Sequence, residues 1–244
     1  MRLTLIQIDE TSASLRGKFQ RYPPQFQSLF AAAGADIDWQ TVHVLDGEPF
    51  PNPARLNGIV ITGSKYGVYD TPFWIDPLRD FIRAAYAANT PIVAVCFGHQ
   101  IMADALGGDV RLAPNGWQLG RQTYRFTEDR PACFDELPDE ISLLASHQDQ
   151  VISPPACART FLASPGCPHA GLVYENGAAI SLQPHPEFDR DYATALVGLR
   201  LGNPLNADEV AALSRRIDGP LDDLPLAKAL AHCLSGRLTS SKLS

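Results

Sequence analysis

An α/β fold built on a three-layer, mostly parallel open sheet with flanking helices is predicted by three observations. Strand-like runs over residues 3–8, 37–44, 58–62 and 91–95 alternate with helix-like stretches over 22–33, 73–88 and 99–106, the rhythm of successive βαβ units. The run Pro91-Ile-Val-Ala-Val95 is short and continuously apolar, as a parallel strand covered on both faces should be. From about 109 to 182 the pattern changes to shorter strands, over 118–126, 141–146, 170–174 and 178–182, separated by Pro, Gly and Asn. These are expected to form a short antiparallel arm and sheet edge.

Taken in order, Met1-Arg-Leu-Thr-Leu-Ile-Gln-Ile-Asp9 is apolar for too short a run to be a signal peptide and shows no small-residue cleavage site, so it reads as the first core strand. The alternating units that follow lead to the strand ending at Val95. After the antiparallel segment, a helix over about 189–201 is expected to cover the sheet. Beyond Gly202-Asn203-Pro204, Asn206 stands where a helix cap would, with Glu209 three residues on, the spacing of a capping box. Residues 1–202 are therefore expected to form the main domain and 203–244 a helical C-terminal extension, with Leu238–Ser244 a frayed tail. No internal repeat or low-complexity tract is visible.

The strand at 91–95 ends abruptly in Cys96-Phe97-Gly98, with helix-compatible sequence after it. A sharp strand-to-helix turn pushes one side chain out at the top of a sheet, the arrangement called a nucleophile elbow. Gly98 allows close backbone approach just after the bend, and a helix starting near His99 would aim its N-terminal amides at the Cys96 sulfur, which favours thiolate over thiol. The competing reading is that Cys96 is a small core hydrophobe, a common fate of free cysteine. A second segment, Ile180-Ser-Leu-Gln-Pro-His185-Pro-Glu187-Phe188, delivers a histidine and a glutamate after another apolar run. In an extended chain residues i and i+2 point to one side, and Pro184 and Pro186 bias the chain to be extended. His185 and Glu187 can then meet, and a carboxylate beside an imidazole fixes its tautomer and stabilises its cation.

Together the two segments resemble the class I, triad-type glutamine amidotransferase domain, whose signatures are a Gly-x-Cys-x-Gly elbow and a late His-Pro-Glu. Here they stand as Ala94-Val-Cys96-Phe-Gly98 and His185-Pro-Glu187, and the likeness extends to Ile59-Val-Ile-Thr-Gly63-Ser64 and to Ser146-His147-Gln148-Asp149-Gln150-Val151, spanning nearly all of residues 1 to 200. Ala94 departs from the usual glycine. It is still small, so the elbow is expected to survive with slightly tighter packing. The resemblance implies a flavodoxin-like sheet and a Cys96, His185, Glu187 triad. It also implies oxyanion donors at the Gly63 and Phe97 backbone amides, and substrate contacts from Gln100, Ser146, His147 and Gln148. A polar turn after a strand remains the alternative for the Ser146 block.

The implied reaction is attack of Cys96 on the γ-carboxamide of glutamine or a γ-glutamyl compound through a glutamyl thioester, with neither cofactor nor metal. No Gly-x-x-x-x-Gly-Lys-Ser/Thr phosphate loop is present, and some 40 residues after the core are too few for a synthase fold, so any ammonia acceptor would be a separate chain. The Thr62-Gly63-Ser64-Lys65 turn and the elbow resemble stand-alone members, similar to γ-glutamyl peptidases and to the glutaminase domain of GMP synthase. A stand-alone γ-glutamyl hydrolase is the leading expectation. A glutaminase subunit serving a synthase partner is the alternative, and a non-catalytic binding module a third, weakened by the presence of Cys, His and Glu together.

The composition suits a compact enzyme: 244 residues, 45% hydrophobic and 19% charged. With 20 Lys+Arg against 27 Asp+Glu the net charge is −7, and no basic excess exists to track nucleic acid. The five cysteines, 96, 133, 157, 167 and 233, are odd in number and form no Cys-x-x-Cys pair, which argues against a disulfide framework or a zinc site and fits a reducing cytoplasm. No segment approaches the roughly 20 apolar residues that span a bilayer. His99 could shape the pocket or make local hydrogen bonds at a helix start, whereas His43, His169 and His232 lack metal-ligand spacing. The aromatic stretch Lys65–Trp74 could line a substrate entrance or be a packed loop.

Overall fold

A computed structural model describes residues 1–19 and 22–235; the tail expected over Leu238–Ser244 lies outside them. Eleven strands and six α-helices are described. In chain order they are β1 (Arg2–Gln7), α1 (Tyr22–Ala32), β2 (Asp38–His43), β3 (Ile59–Ile61), α2 (Ile75–Ala87), β4 (Ile92–Val95), α3 (Phe97–Ala105), β5 (Asp109–Leu112) and β6 (Gln118–Phe126). They continue with β7 (Glu140–His147), β8 (Asp149–Ser153), β9 (Ala158–Ser164), β10 (Cys167–Tyr174), β11 (Ala179–Leu182), α4 (Arg190–Gly198), α5 (Ala207–Ile217) and α6 (Asp223–Leu234).

Nine strands form one open sheet in the order β2-β1-β3-β4-β11-β10-β9-β6-β7. The five from β2 to β11 run parallel, with Ala94 opposite Ile61 on one side and Ser181 on the other. β3, β4 and β11 are buried at every position because helices cover both faces. Period-two alternation divides their side chains between two layers. Leu3, Leu5, Val60, Val93 and Val95 meet Phe26 and Phe30 of α1 and Leu226, Leu230 and Leu234 of α6. Ile6, Ile59, Ile61 and Ile92 meet Leu78, Phe81 and Ile82 of α2 and Ile101 and Met102 of α3. Each such aliphatic or aromatic side chain removed from water contributes about 1.5–3 kcal/mol before ordering costs.

The antiparallel strands divide into the expected sheet edge and short arm. β10, β9, β6 and β7 continue the same sheet edge to edge, and only β5 and β8 stand apart as a two-stranded ribbon. β5, β8 and β9 carry little strand signal, since each buries only one or two apolar side chains (Val110; Val151; Phe161 and Leu162) between polar or exposed neighbours. The capping box at α5 forms as its spacing predicts: Asn206 Oδ1 accepts from the Glu209 N–H at 2.9 Å, and Glu209 Oε2 accepts from the Asn206 N–H at 2.8 Å. α4 opens on Asp189, whose carboxylate accepts from the Tyr192 N–H at 2.7 Å. Of the expected C-terminal extension, α6 buries its apolar stripe in the same core as β1 and β4. Among the described residues no helix is long and apolar enough to cross a membrane.

Four strand ends meet at one edge of this frame. Asp9 follows β1, Gly63 follows β3, Cys96 follows β4 and His185 follows β11. The carboxyl ends of parallel strands are where open α/β sheets bind ligands.

Candidate active site

Cys96 caps α3 with φ 54° and ψ −107°, a backbone region that L-residues rarely adopt and that persists only where the surroundings enforce it. Two things enforce it. The Cys96 N–H is tied to the Leu182 carbonyl at 2.8 Å, and α3 begins at Phe97, directly after the bend rather than near His99. Gly98 then passes so close to β3 that a Cβ there would lie 2.6 Å from the Ile61 carbonyl oxygen. The elbow read from the sequence is present, and Ala94 fits within it at full burial.

His185 and Glu187 reach each other by a different route from the extended run expected. β11 stops at Leu182; His185 makes a lone bridge to β7, its N–H donating to the Leu144 carbonyl at 2.8 Å, and Glu187 sits in the turn that follows. Their side chains still meet, with His185 Nδ1 donating to Glu187 Oε1 at 2.7 Å, both groups buried. That bond leaves Nε2 for Cys96, with which the ring is hydrogen-bonded. Burial opposes a charge on His185, but the negative charge of the Cys96 sulfur and of Glu187, with their hydrogen bonds, outweighs it and holds the imidazole well above the usual histidine range. Phe188 stacks flat on the ring, 3.8 Å between centroids and 8° between planes.

Gly63 lies against both Cys96 and His185: a Cβ there would stand 3.1 Å from His185 Cε1 and 3.8 Å from Cys96 Sγ. Among the described residues neither the Gly63 nor the Phe97 amide is engaged by another group. The turn carrying Gly63 is held from β1 by a residue the sequence reading passed over. Buried Asp9 accepts from the Lys65 N–H at 3.1 Å, the Glu10 N–H at 2.8 Å and the Lys65 ammonium at 3.3 Å. Thr62 Oγ1 accepts from the Ile8 N–H at 3.1 Å and donates to the Gly63 carbonyl. An acidic residue immediately after the first core strand was the available signal.

Gln100, Ser146, His147 and Gln148 all line one cavity of about 330 Å³ with Cys96. Gln100 also has a structural task, its amide nitrogen donating to the Asp149 carbonyl at 2.9 Å and to Gln183 Oε1 at 3.2 Å. His147 Nδ1 donates to the Asp149 carbonyl at 3.0 Å, which leaves its buried Nε2 as an acceptor without a partner among the described residues. Both readings of the aromatic stretch hold, each for part of it. Lys65, Tyr66, Tyr69 and Asp70 line the cavity, with the Tyr69 hydroxyl donating to Asp149 at 2.9 Å, while Trp74 packs edge-on against Phe97 in the core. Arg200 also lines this cavity, over the Trp117 ring at 3.7 Å; its Nε is buried without a partner among the described residues. One arginine in the turn after a helix offers no sequence signal for such a position.

His99 does not line the cavity and bonds Ser181 Oγ of β11 at 2.7 Å, a partner distant in sequence rather than the local hydrogen bonds considered for a helix-start histidine. Burial pushes His99 down to about 3 and His147 down to about 4, so both are neutral near pH 7. Between those values and the ordinary 6.5 the unfolded chain binds protons that the folded chain refuses, so stability rises with pH and is lost as the pH falls below 6.5. At pH 5 the loss is at most about 2 kcal/mol per histidine. Urea denaturation at pH 7 and pH 5 should show it, and His99→Gln should flatten the difference. An unchanged pH dependence in that variant would refute this assignment.

All five cysteines are free. The family model described as Glutamine amidotransferase class-I matches residues 30–194. Gamma-glutamyl peptidase 4 of Arabidopsis thaliana is 32% identical over 177 residues, 70% of this chain and 69% of the relative. The glutamine-hydrolysing GMP synthase of Geobacillus kaustophilus is 35% identical over 134 residues, 54% of this chain and 25% of that enzyme. Among solved structures, a glutamine amidotransferase from Methylobacillus flagellatus aligns with a TM-score of 0.72 over 98% of this chain and 95% of its own, at 20% identity, a likeness of fold.

Proposed function

This chain belongs to the class-I glutamine amidotransferase family, and from that premise we propose that it is a cysteine-dependent hydrolase of γ-glutamyl amides that needs no synthase partner. The observation that carries the reading is the strained elbow at Cys96 joined to the buried His185–Glu187 pair. In this reading Cys96 Sγ attacks the γ-carbonyl carbon, the C–S bond forms, and the oxyanion is met by the Gly63 and Phe97 amides. One such donor is typically worth ~3 kcal/mol of barrier. His185 Nε2 then gives its proton to the leaving nitrogen as the C–N bond breaks. It takes a proton back from the water that cleaves the thioester, and glutamate and free thiol are released. Glu187 holds the ring in the required tautomer throughout. In the cavity beside Cys96, Asp149 and Arg200 supply opposite charges for the α-ammonium and α-carboxylate of a glutamyl group, alongside Gln100, Ser146, His147 and Gln148.

The test is the purified protein alone against glutamine, γ-glutamyl dipeptides and glutathione conjugates, with ammonia and free glutamate both measured. Release of glutamate from the peptides supports the reading; silence across the panel ends it. The likeness to a glutamine-hydrolysing GMP synthase favours a second reading, a glutaminase subunit that supplies ammonia to a separate synthase chain. That reading expects a stoichiometric partner that raises glutamine turnover on addition.

A further inference from the structure

Two adjoining cavities meet at Cys96 and share Ser64, Lys65, Ser146 and Arg200 along their border. The first, described above, is lined by the Ser146–Asp149 segment and by the loop after Gly63. The second, about 370 Å³, is lined by Cys96 and His185, by an apolar wall of Tyr22, Phe188, Tyr192, Leu196 and Leu199, and by a polar wall that includes the segment after β1. His185 lines the second cavity and not the first. A proton passes only between atoms in hydrogen-bond reach, about 3 Å. If His185 protonates the departing nitrogen, that nitrogen and whatever it carries stand on the His185 side of the sulfur, and the glutamyl chain extends into the first cavity.

We propose that the second cavity is a leaving-group subsite, and that the preferred substrate is a γ-glutamyl derivative of an amine bearing an apolar or aromatic side chain, rather than glutamine itself. The proposal rests on the hydrolase reading and assigns its substrate class. Ammonia is the size of a water molecule and would gain nothing from such a chamber, whereas clefts of roughly 300–1,000 Å³ suit small organic ligands. The walls fit an apolar guest. Tyr22 and Phe188 stack with centroids 6.5 Å apart, Tyr192 meets Phe188 edge-on at 4.8 Å, and Leu199, on the turn after α4, leaves 42% of its surface exposed. Of the charged groups around it, Asp9 pairs with Lys65 at 3.3 Å and Glu10 with Arg16 at 2.9 Å, while Arg200, which the first cavity shares, stacks over the Trp117 ring. They do not compete for a neutral side chain.

The experiment compares kcat/KM for γ-glutamyl-phenylalanine, γ-glutamyl-leucine, γ-glutamyl-glycine and glutamine in the full chain and in Leu199→Arg, which projects a charge into the cavity from an exposed position. In the unaltered protein the phenylalanine and leucine peptides should be favoured at least tenfold over the glycine peptide and glutamine, the range that an apolar pocket gives for a few carbon atoms. Leu199→Arg should bring that ratio toward one. Equal efficiency on all four, or an equal fall on all four in the variant, overturns the subsite. Should none be turned over, the hydrolase reading fails on its own, and calorimetry with Cys96→Ala still decides the cavity: tenfold tighter binding of γ-glutamyl-phenylalanine than of γ-glutamyl-glycine supports it, and equal binding overturns it.

Discussion

Cys96→Ala should lower turnover of any γ-glutamyl amide by about 10⁴-fold or more while the protein keeps its fold, because the groups of a nucleophilic unit act together and removal of one forfeits nearly all of its effect. The alanine loses only the sulfur, at the rim of the core where it borders a cavity, so the packing lost is small. A second readout separates this from a trivial loss. Burial alone would push the His185 ring down, and it is held up because the Cys96 sulfur and Glu187 face it. Removing the sulfur should move the ring's titration, followed by NMR, to lower pH, with Glu187→Gln moving it further. The stability consequence has a definite sign. A histidine whose folded-state affinity for protons is raised contributes stability below its ordinary 6.5 and loses it as the pH climbs through the folded value, so Cys96→Ala should flatten the alkaline fall in stability. Persistent turnover in the variant would rule out the thiol as nucleophile.

Gly98→Ala should damage both stability and turnover, and for a reason that is purely geometric. The added Cβ would stand 2.6 Å from the carbonyl oxygen and 3.1 Å from the carbonyl carbon of Ile61, both backbone atoms that cannot swing aside. Overpacking of this kind costs about 1–3 kcal/mol, sometimes more. The relief available is for α3 to move off the sheet, which carries the Phe97 amide away from the oxyanion position; a displacement near 1 Å can cost about 10²-fold in rate. Gly198→Ala is the matched control. That glycine sits in α4 with nothing within 4 Å of the new Cβ, so the substitution should be neutral or stabilising by up to about 1 kcal/mol. Thermal melts of the two variants side by side check the contrast, and an intact melting temperature in Gly98→Ala would refute the close-approach argument.

The parallel half of the sheet was legible because its strands are buried on both faces and so read as unbroken Val/Ile runs, with helices between them. The residues around Cys96 were legible only together with the His185-Pro-Glu187 segment, since an apolar run that stops at Cys96-Phe97-Gly98 fits a core cysteine as well. β5, β8 and β9 were not, since their strand character comes from neighbours far away in sequence rather than from an internal pattern. The meeting of His185 with Glu187 was anticipated, but from extended geometry, whereas the bridge to Leu144 and the turn at Glu187 produce it. Asp9 escaped notice because its role lies in the backbone amide of Lys65, 56 positions later, which no local pattern encodes. Arg200 and Phe188 act through ring faces, and stacking partners leave no mark on spacing.

The central place of β11 in the sheet also has a temporal side. β4 leads into Cys96, yet its neighbour β11 and the histidine after it come about 90 positions later, with α6, which roofs β4, later still. At roughly 5–20 residues per second of synthesis, the emerging polypeptide displays its cysteine on a half-finished sheet for several seconds before any base exists to activate it. In the proposed mechanism, turnover therefore begins only when the last pieces of the core have closed over the strand that leads to the sulfur.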